Sequence, residues 1–152
     1  MQLPTFQHGV AFLSAAGGCG KTYLLNAALK TARLMQVVTV ATAFTGLAAN
    51  GYPGGTTVHR SFQLPVQTEG DDRGALQSTL HRGSAKADVI AHSGLIICDE
   101  APMGGCRIAN AMKETLSELS KEADTRHQLL IFSGDFQQVS PVVTRSDRRA
   151  QV

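Results

Sequence analysis

The feature that most constrains this chain lies near its start. An apolar run at residues 10–14 breaks into Ala15-Ala16-Gly17-Gly18-Cys19-Gly20-Lys21-Thr22, and a helical pattern follows. After Lys21, the residues Leu24, Leu25, Ala28, Leu29 and Ala32 recur at helical spacing. A buried strand, a glycine-rich turn and a helix in that order make a phosphate cradle. Glycines let backbone N–H groups turn inward, and the helix points its positive end at the same charge. The segment follows G-x-x-x-x-G-K-[ST], with Gly20, Lys21 and Thr22 in place and Ala15 where the first glycine belongs. If that position needs a positive φ, alanine is strained there. On this reading Gly17, Gly18, Cys19 and Gly20 wrap the phosphates of ATP. Lys21 reaches the β- and γ-phosphates, and the Thr22 hydroxyl holds Mg²⁺. The competing reading is a glycine-rich turn before a helix, with no ligand.

Three further runs resemble the first: residues 37–43, 95–98 and 128–132. Each is too short for a helix and does not alternate apolar with polar, so each predicts a strand buried on both faces, as in a parallel sheet. A second helical pattern, Ile108, Met112, Leu116 and Leu119, lies between the last two. Strand and helix alternate, which predicts an α/β fold with a parallel sheet flanked by helices. Residues 51–84 differ. They carry Pro53, Gly54-Gly55, Pro65 and Gly70-Asp71-Asp72, and read as turns and short helices inserted between strands.

The run at 95–98 ends in Asp99-Glu100. Two acids at the end of a buried strand are costly unless a cation or donors meet them. Beside a phosphate loop, the first acid is placed to hold Mg²⁺ and the second to polarise an attacking water. The run at 128–132 leads into Ser133-Gly134-Asp135-Phe136-Gln137-Gln138. An amide just past a strand end, here Gln138, can sense a γ-phosphate or orient water. All these groups fall at the carboxyl ends of strands, where α/β sheets bind ligands.

Composition sets outer bounds. The 152 residues suit one domain, and 43% hydrophobic with 17% charged residues is the balance of a globular protein. No apolar run reaches the ~18 residues of a membrane span. Residues 1–6 lack the basic start and apolar stretch of a secretion signal. A net charge of +2 is too small to argue for nucleic acid, although Arg145, Arg148 and Arg149 form a local basic cluster. Three cysteines, at 19, 98 and 106, fit neither a disulfide framework nor a zinc site. The expected compartment is reducing and intracellular, nuclear or mitochondrial in a eukaryote.

Taken together, residues 15–22, Asp99-Glu100-Ala101-Pro102-Met103 and the run from Gly134 to Val143 resemble the Pif-family DNA helicases of superfamily one, in the flavour linked to Helitron transposons. Thr45-Gly46-Leu47-Ala48-Ala49 and Gly54 through Phe62 are similar to the family's DNA-contacting segments. The resemblance implies a RecA-like P-loop motor domain over residues 1–152, ATP hydrolysis, and 5′-to-3′ movement on single-stranded DNA. It also implies roles in repair, recombination and telomere maintenance. By position, Lys21 and Thr22 bind phosphate and Mg²⁺, Asp99 holds Mg²⁺, Glu100 is the catalytic base and Gln138 senses the γ-phosphate. Thr45, Gly46, His59 and Phe62 would touch DNA, with His59 or Phe62 stacking on bases. Phe62 reads equally as a buried core aromatic.

The sequence departs from the family pattern at Ala15 and Ala16, where glycine and proline are usual. Gln137 stands for arginine and Cys98 for a frequent tryptophan. The family also implies a second RecA-like half, carrying an arginine finger, as a partner of the domain seen here. Two further readings stay open: a nucleotide- or DNA-binding module without unwinding activity, and another P-loop enzyme such as a kinase or GTPase. The runs at 99–103 and 134–138 weigh against the latter.

Overall fold

The computed structural model describes residues 7–65, 76–120 and 127–135. The chain runs β1 (Gln7–Ser14), α1 (Lys21–Leu34), β2 (Thr39–Ala43), α2 (Gly46–Ala49), β3 (Thr56–Thr57), α3 (Val58–Phe62), α4 (Ala85–Ala91), β4 (Leu95–Asp99), a 3-10 turn (Ala101–Gly104), α5 (Gly105–Ser120) and β5 (His127–Gly134). The strands form one sheet in the order β1-β5-β4-β2-β3, and every pairing is parallel. The expected α/β architecture, a parallel sheet flanked by helices, is the one observed. All four apolar runs form strands. The fifth strand, β3, has two residues and no apolar run to announce it.

Side-chain alternation sorts the core into two layers. Ile96 and Cys98 of β4 and Leu130 and Phe132 of β5 pack with Ile108, Met112, Leu116 and Leu119 of α5 and with residues of α3 and α4. Leu95 and Ile97 point the other way and pack with Leu25 and Leu29 of α1, Ala41 and Tyr52. The helical stripe of α5 is buried as its spacing predicts. In α1 the stripe is narrower: Leu25 and Leu29 are buried, whereas Leu24 is 55% exposed.

Burial on both faces holds for β4, all of whose residues are buried. It fails for β1. Val10 and Phe12 are 49% and 46% exposed, because β1 is the edge strand of the described sheet and α5 packs over β4 and β5. Three short helices are capped by side chains: Thr45, Thr57 and Ser84 accept from the backbone N–H of Ala48, Arg60 and Ala87. Among the described residues, no helix is long and apolar enough to cross a membrane.

Candidate nucleotide and nucleic-acid site

Parallel pairing puts four strand ends at one edge of the sheet. Ser14 is level with Gly134, and Ala43 is level with Asp99. The Ala15 amide donates to the Gly134 carbonyl at 3.3 Å, and the Phe44 amide to that of Asp99 at 3.0 Å. The glycine loop, the two acids, the segment entering α2 and the end of β5 therefore converge.

The loop takes the shape its glycines permit. Gly18 and Gly20 have φ of 77° and 80°, in the left-handed region that L side chains avoid. Ala15 is not among the positive-φ residues, so alanine is unstrained there. Gly20 caps α1 without a side-chain bond, leaving the helix to open on backbone N–H groups. Lys21 Nζ folds over the loop and donates to the carbonyls of Ala15, at 2.6 Å, and Ala16, at 2.9 Å. Asp135 Oδ2 accepts from the Gly17 amide at 2.9 Å and so ties the loop to the end of β5.

Asp99 is 7% exposed. Its Oδ1 accepts from the Glu100 amide at 3.0 Å, and its Oδ2 accepts from the Tyr52 hydroxyl at 2.5 Å. Burial, then the bond to Asp99 and its negative charge, push the phenol well above its usual range, so it is a neutral donor. The Cys98 thiol behind it is pushed up to about 12, chiefly by burial.

Glu100 follows with φ 55°, a left-handed conformation for a non-glycine residue. This bend ends β4 and starts the 3-10 turn, where Met103 N donates to Glu100 O at 3.0 Å. The bend sends the Glu100 side chain to Thr45, whose hydroxyl donates to Oε2 at 2.6 Å. Gly134 lies against the same turn: a methyl group on it would overlap the Pro102 ring.

The predicted DNA-contacting residues divide. Thr45 is partly buried, and Gly46 is exposed beside it. His59 meets Phe44 edge-to-face at 5.5 Å between ring centroids, which brings it to the same neighbourhood. Phe62 does not join them. It is 0% exposed and part of the core, so it has no free face on which a base could stack. Its DNA-contact assignment is corrected to a packing role. Gln138 and the arginines at 145, 148 and 149 lie outside the described residues.

Sequence reasoning missed two residues. Asp135 belonged to a recognised motif, and its anion-like position at the loop could have been suspected from that. Tyr52 lies in a stretch that read only as turns, and nothing local marks it.

The PIF1-like helicase family matches residues 5–152. The chain belongs to this family. A curated relative, the ATP-dependent DNA helicase Pif1 of Psychrobacter sp. (strain PRwf-1), is 28% identical over 137 residues, which are 90% of this chain and 20% of the relative. A solved Pif1 helicase from Candida albicans is 25% identical, with a TM-score of 0.67 over 89% of this chain and 31% of that one. A Bacteroides Pif1 helicase, solved in complex with ADP-AlF3 and single-stranded DNA, is 26% identical, with a TM-score of 0.63 over 94% and 32%. This PIF1-like chain thus spans about one-fifth of the curated relative and about a third of the solved chains. The fold they share is the RecA-like helicase domain expected from the sequence.

Proposed function

We propose that this domain binds and hydrolyses ATP as part of an ATP-dependent DNA helicase, and couples that turnover to movement along single-stranded DNA. The observation that carries the reading is the hydrogen bond from Thr45 to Glu100. It joins the segment similar to DNA-contacting segments of the family directly to the acid placed to act as base.

In this reading the Gly17–Gly20 amides and Lys21 bind the β- and γ-phosphates, where charge must be neutralised. Glu100 accepts a proton from the attacking water. The residues also fit Mg²⁺, which takes oxygen ligands and keeps several waters. Thr22 and Asp99 supply hard oxygens. Ser133 Oγ is buried without a hydrogen-bond partner among the described residues. It is two residues beyond Ile131, which packs on the same side of the sheet as Leu95 and Ile97, so it faces the Asp99 side. An orphan hydroxyl there suits a hydrated cation. Thr22 and Asp99 would hold the ion, which supplies positive charge to the phosphates when bound.

The Bacteroides complex with ADP-AlF3 and single-stranded DNA supports both ligands by likeness. Polarity of 5′-to-3′, a second RecA-like domain bearing an arginine finger, and work in repair, recombination and telomere maintenance are added by the family resemblance. The test is ATP turnover with and without single-stranded DNA at two salt concentrations. Turnover that rises with DNA, less so at high salt, supports the reading. Absence of Mg²⁺-dependent nucleotide binding would overturn it.

A further inference from the structure

We infer that Tyr52 is a positioning residue for the candidate metal ligand Asp99: its phenol fixes one oxygen of that carboxylate and thereby sets the affinity of the site for a divalent cation. The inference rests on the function proposed above and names a residue outside the phosphate loop and the acid pair.

The ring is held from two directions. It is 3% exposed and packs with Leu25, Leu29, Ala41, Leu95 and Ile97. The backbone on either side of it is clamped to α1. Asn26 Nδ2 donates to the Gly51 carbonyl at 2.9 Å, and Arg33 Nη2 donates to the Pro53 carbonyl at 3.0 Å. Gly51 itself lies against the Thr22 side chain, where an added Cβ would stand 3.5 Å from the methyl. The helix that begins with Lys21 and Thr22 thus also delivers Tyr52.

The consequence falls on Asp99. A carboxylate on an exposed strand end samples several rotamers. This one has each oxygen fixed by its own donor, Glu100 N on Oδ1 and Tyr52 Oη on Oδ2. With both atoms held, the carboxylate need not be ordered when a cation arrives. Outer partners of this kind orient metal ligands, and their loss costs about 10–100-fold in metal affinity. An aliphatic side chain at position 52 could fill the same apolar space but would leave Oδ2 without that donor. The hydroxyl, not the ring, is therefore the functional part.

The experiment compares the 152-residue chain with its Tyr52→Phe variant, which keeps the ring and removes one oxygen. ADP affinity is measured by calorimetry across a Mg²⁺ series and with chelator, and Mn²⁺ binding in the presence of ADP is followed by electron paramagnetic resonance. The expected result is a roughly tenfold rise in the Mg²⁺ and Mn²⁺ midpoints, with metal-free ADP affinity unchanged. Asn26→Ala, which loosens the clamp without touching the site, should shift the midpoints in the same direction by less. It carries the test alone if Tyr52→Phe does not fold. Unchanged midpoints in the folded variants overturn the inference, as does an equal loss of metal-free affinity, which would make Tyr52 merely structural. In both cases wild-type binding still responds to metal, and the proposed function stands. A wild-type chain with no metal-dependent nucleotide binding overturns both.

Discussion

The Thr45 hydroxyl lies 2.6 Å from Glu100 Oε2, and the same oxygen caps α2 by accepting from the Ala48 amide at 3.2 Å. One side chain therefore shapes the candidate DNA segment and holds the candidate base. A hydrogen bond to a charged group contributes about 1.5–3 kcal/mol. Thr45→Val should lower DNA-stimulated ATP turnover by roughly tenfold or more, whereas Thr45→Ser, which keeps the hydroxyl, should retain most of it. Steady-state turnover with saturating single-stranded DNA checks this. Equal rates for Thr45→Val and wild type would break the proposed link.

Lys21 sits over the loop, with its ammonium on the Ala15 and Ala16 carbonyls. Lys21→Ala removes the loop's only side-chain cation and should abolish nucleotide binding in calorimetry. Unaltered ATP affinity would refute the phosphate-loop assignment.

Glu100→Gln keeps the size of the side chain and loses its capacity to take a proton. Nucleotide affinity should stay within a few-fold of wild type, while turnover falls by about 10²–10⁴-fold, the usual scale for a general base. Single-turnover hydrolysis separates the two quantities. A normal rate in this variant would remove Glu100 from the chemistry.

Phe62 offers a contrast between packing and contact. Its side chain is fully buried, so Phe62→Ala should cost about 3–5 kcal/mol of stability, as large-to-small core changes do. A drop in the denaturant midpoint is expected. A selective loss of DNA affinity in a chain of unaltered stability would restore the contact role.

Gly134 is fixed by its neighbour. A methyl group there runs into the Pro102 ring, and overpacking of this kind costs about 1–3 kcal/mol. Gly134→Ala should lower Tm and also reduce turnover, because the displaced turn begins at Glu100. Thermal unfolding and turnover measured on the same sample check the pairing of the two effects.

Much of the fold was legible because its signals are local. The run at 95–98 is apolar throughout, as a strand covered on both sides must be, and it became the fully buried β4, while the mainly apolar run at 128–132 became part of β5. Gly18 and Gly20 were legible because the loop needs positive φ at those positions. The exposed β1 was misread, since an apolar run does not say whether a helix will lie over it. Phe62 was left open between two roles because an aromatic in a short helix serves both equally well in sequence, and only the position of α3 against the core decided it.

By itself, then, the sequence determined the phosphate loop, the acid pair and the alternation of strand and helix, because each depends on neighbours a few residues away. Only the tertiary structure decided that Tyr52 reaches Asp99 and that Thr45 reaches Glu100, across separations of 47 and 55 residues. Parallel pairing sets β2 beside β4 and makes their ends level, and no local pattern carries the information of which strands become neighbours.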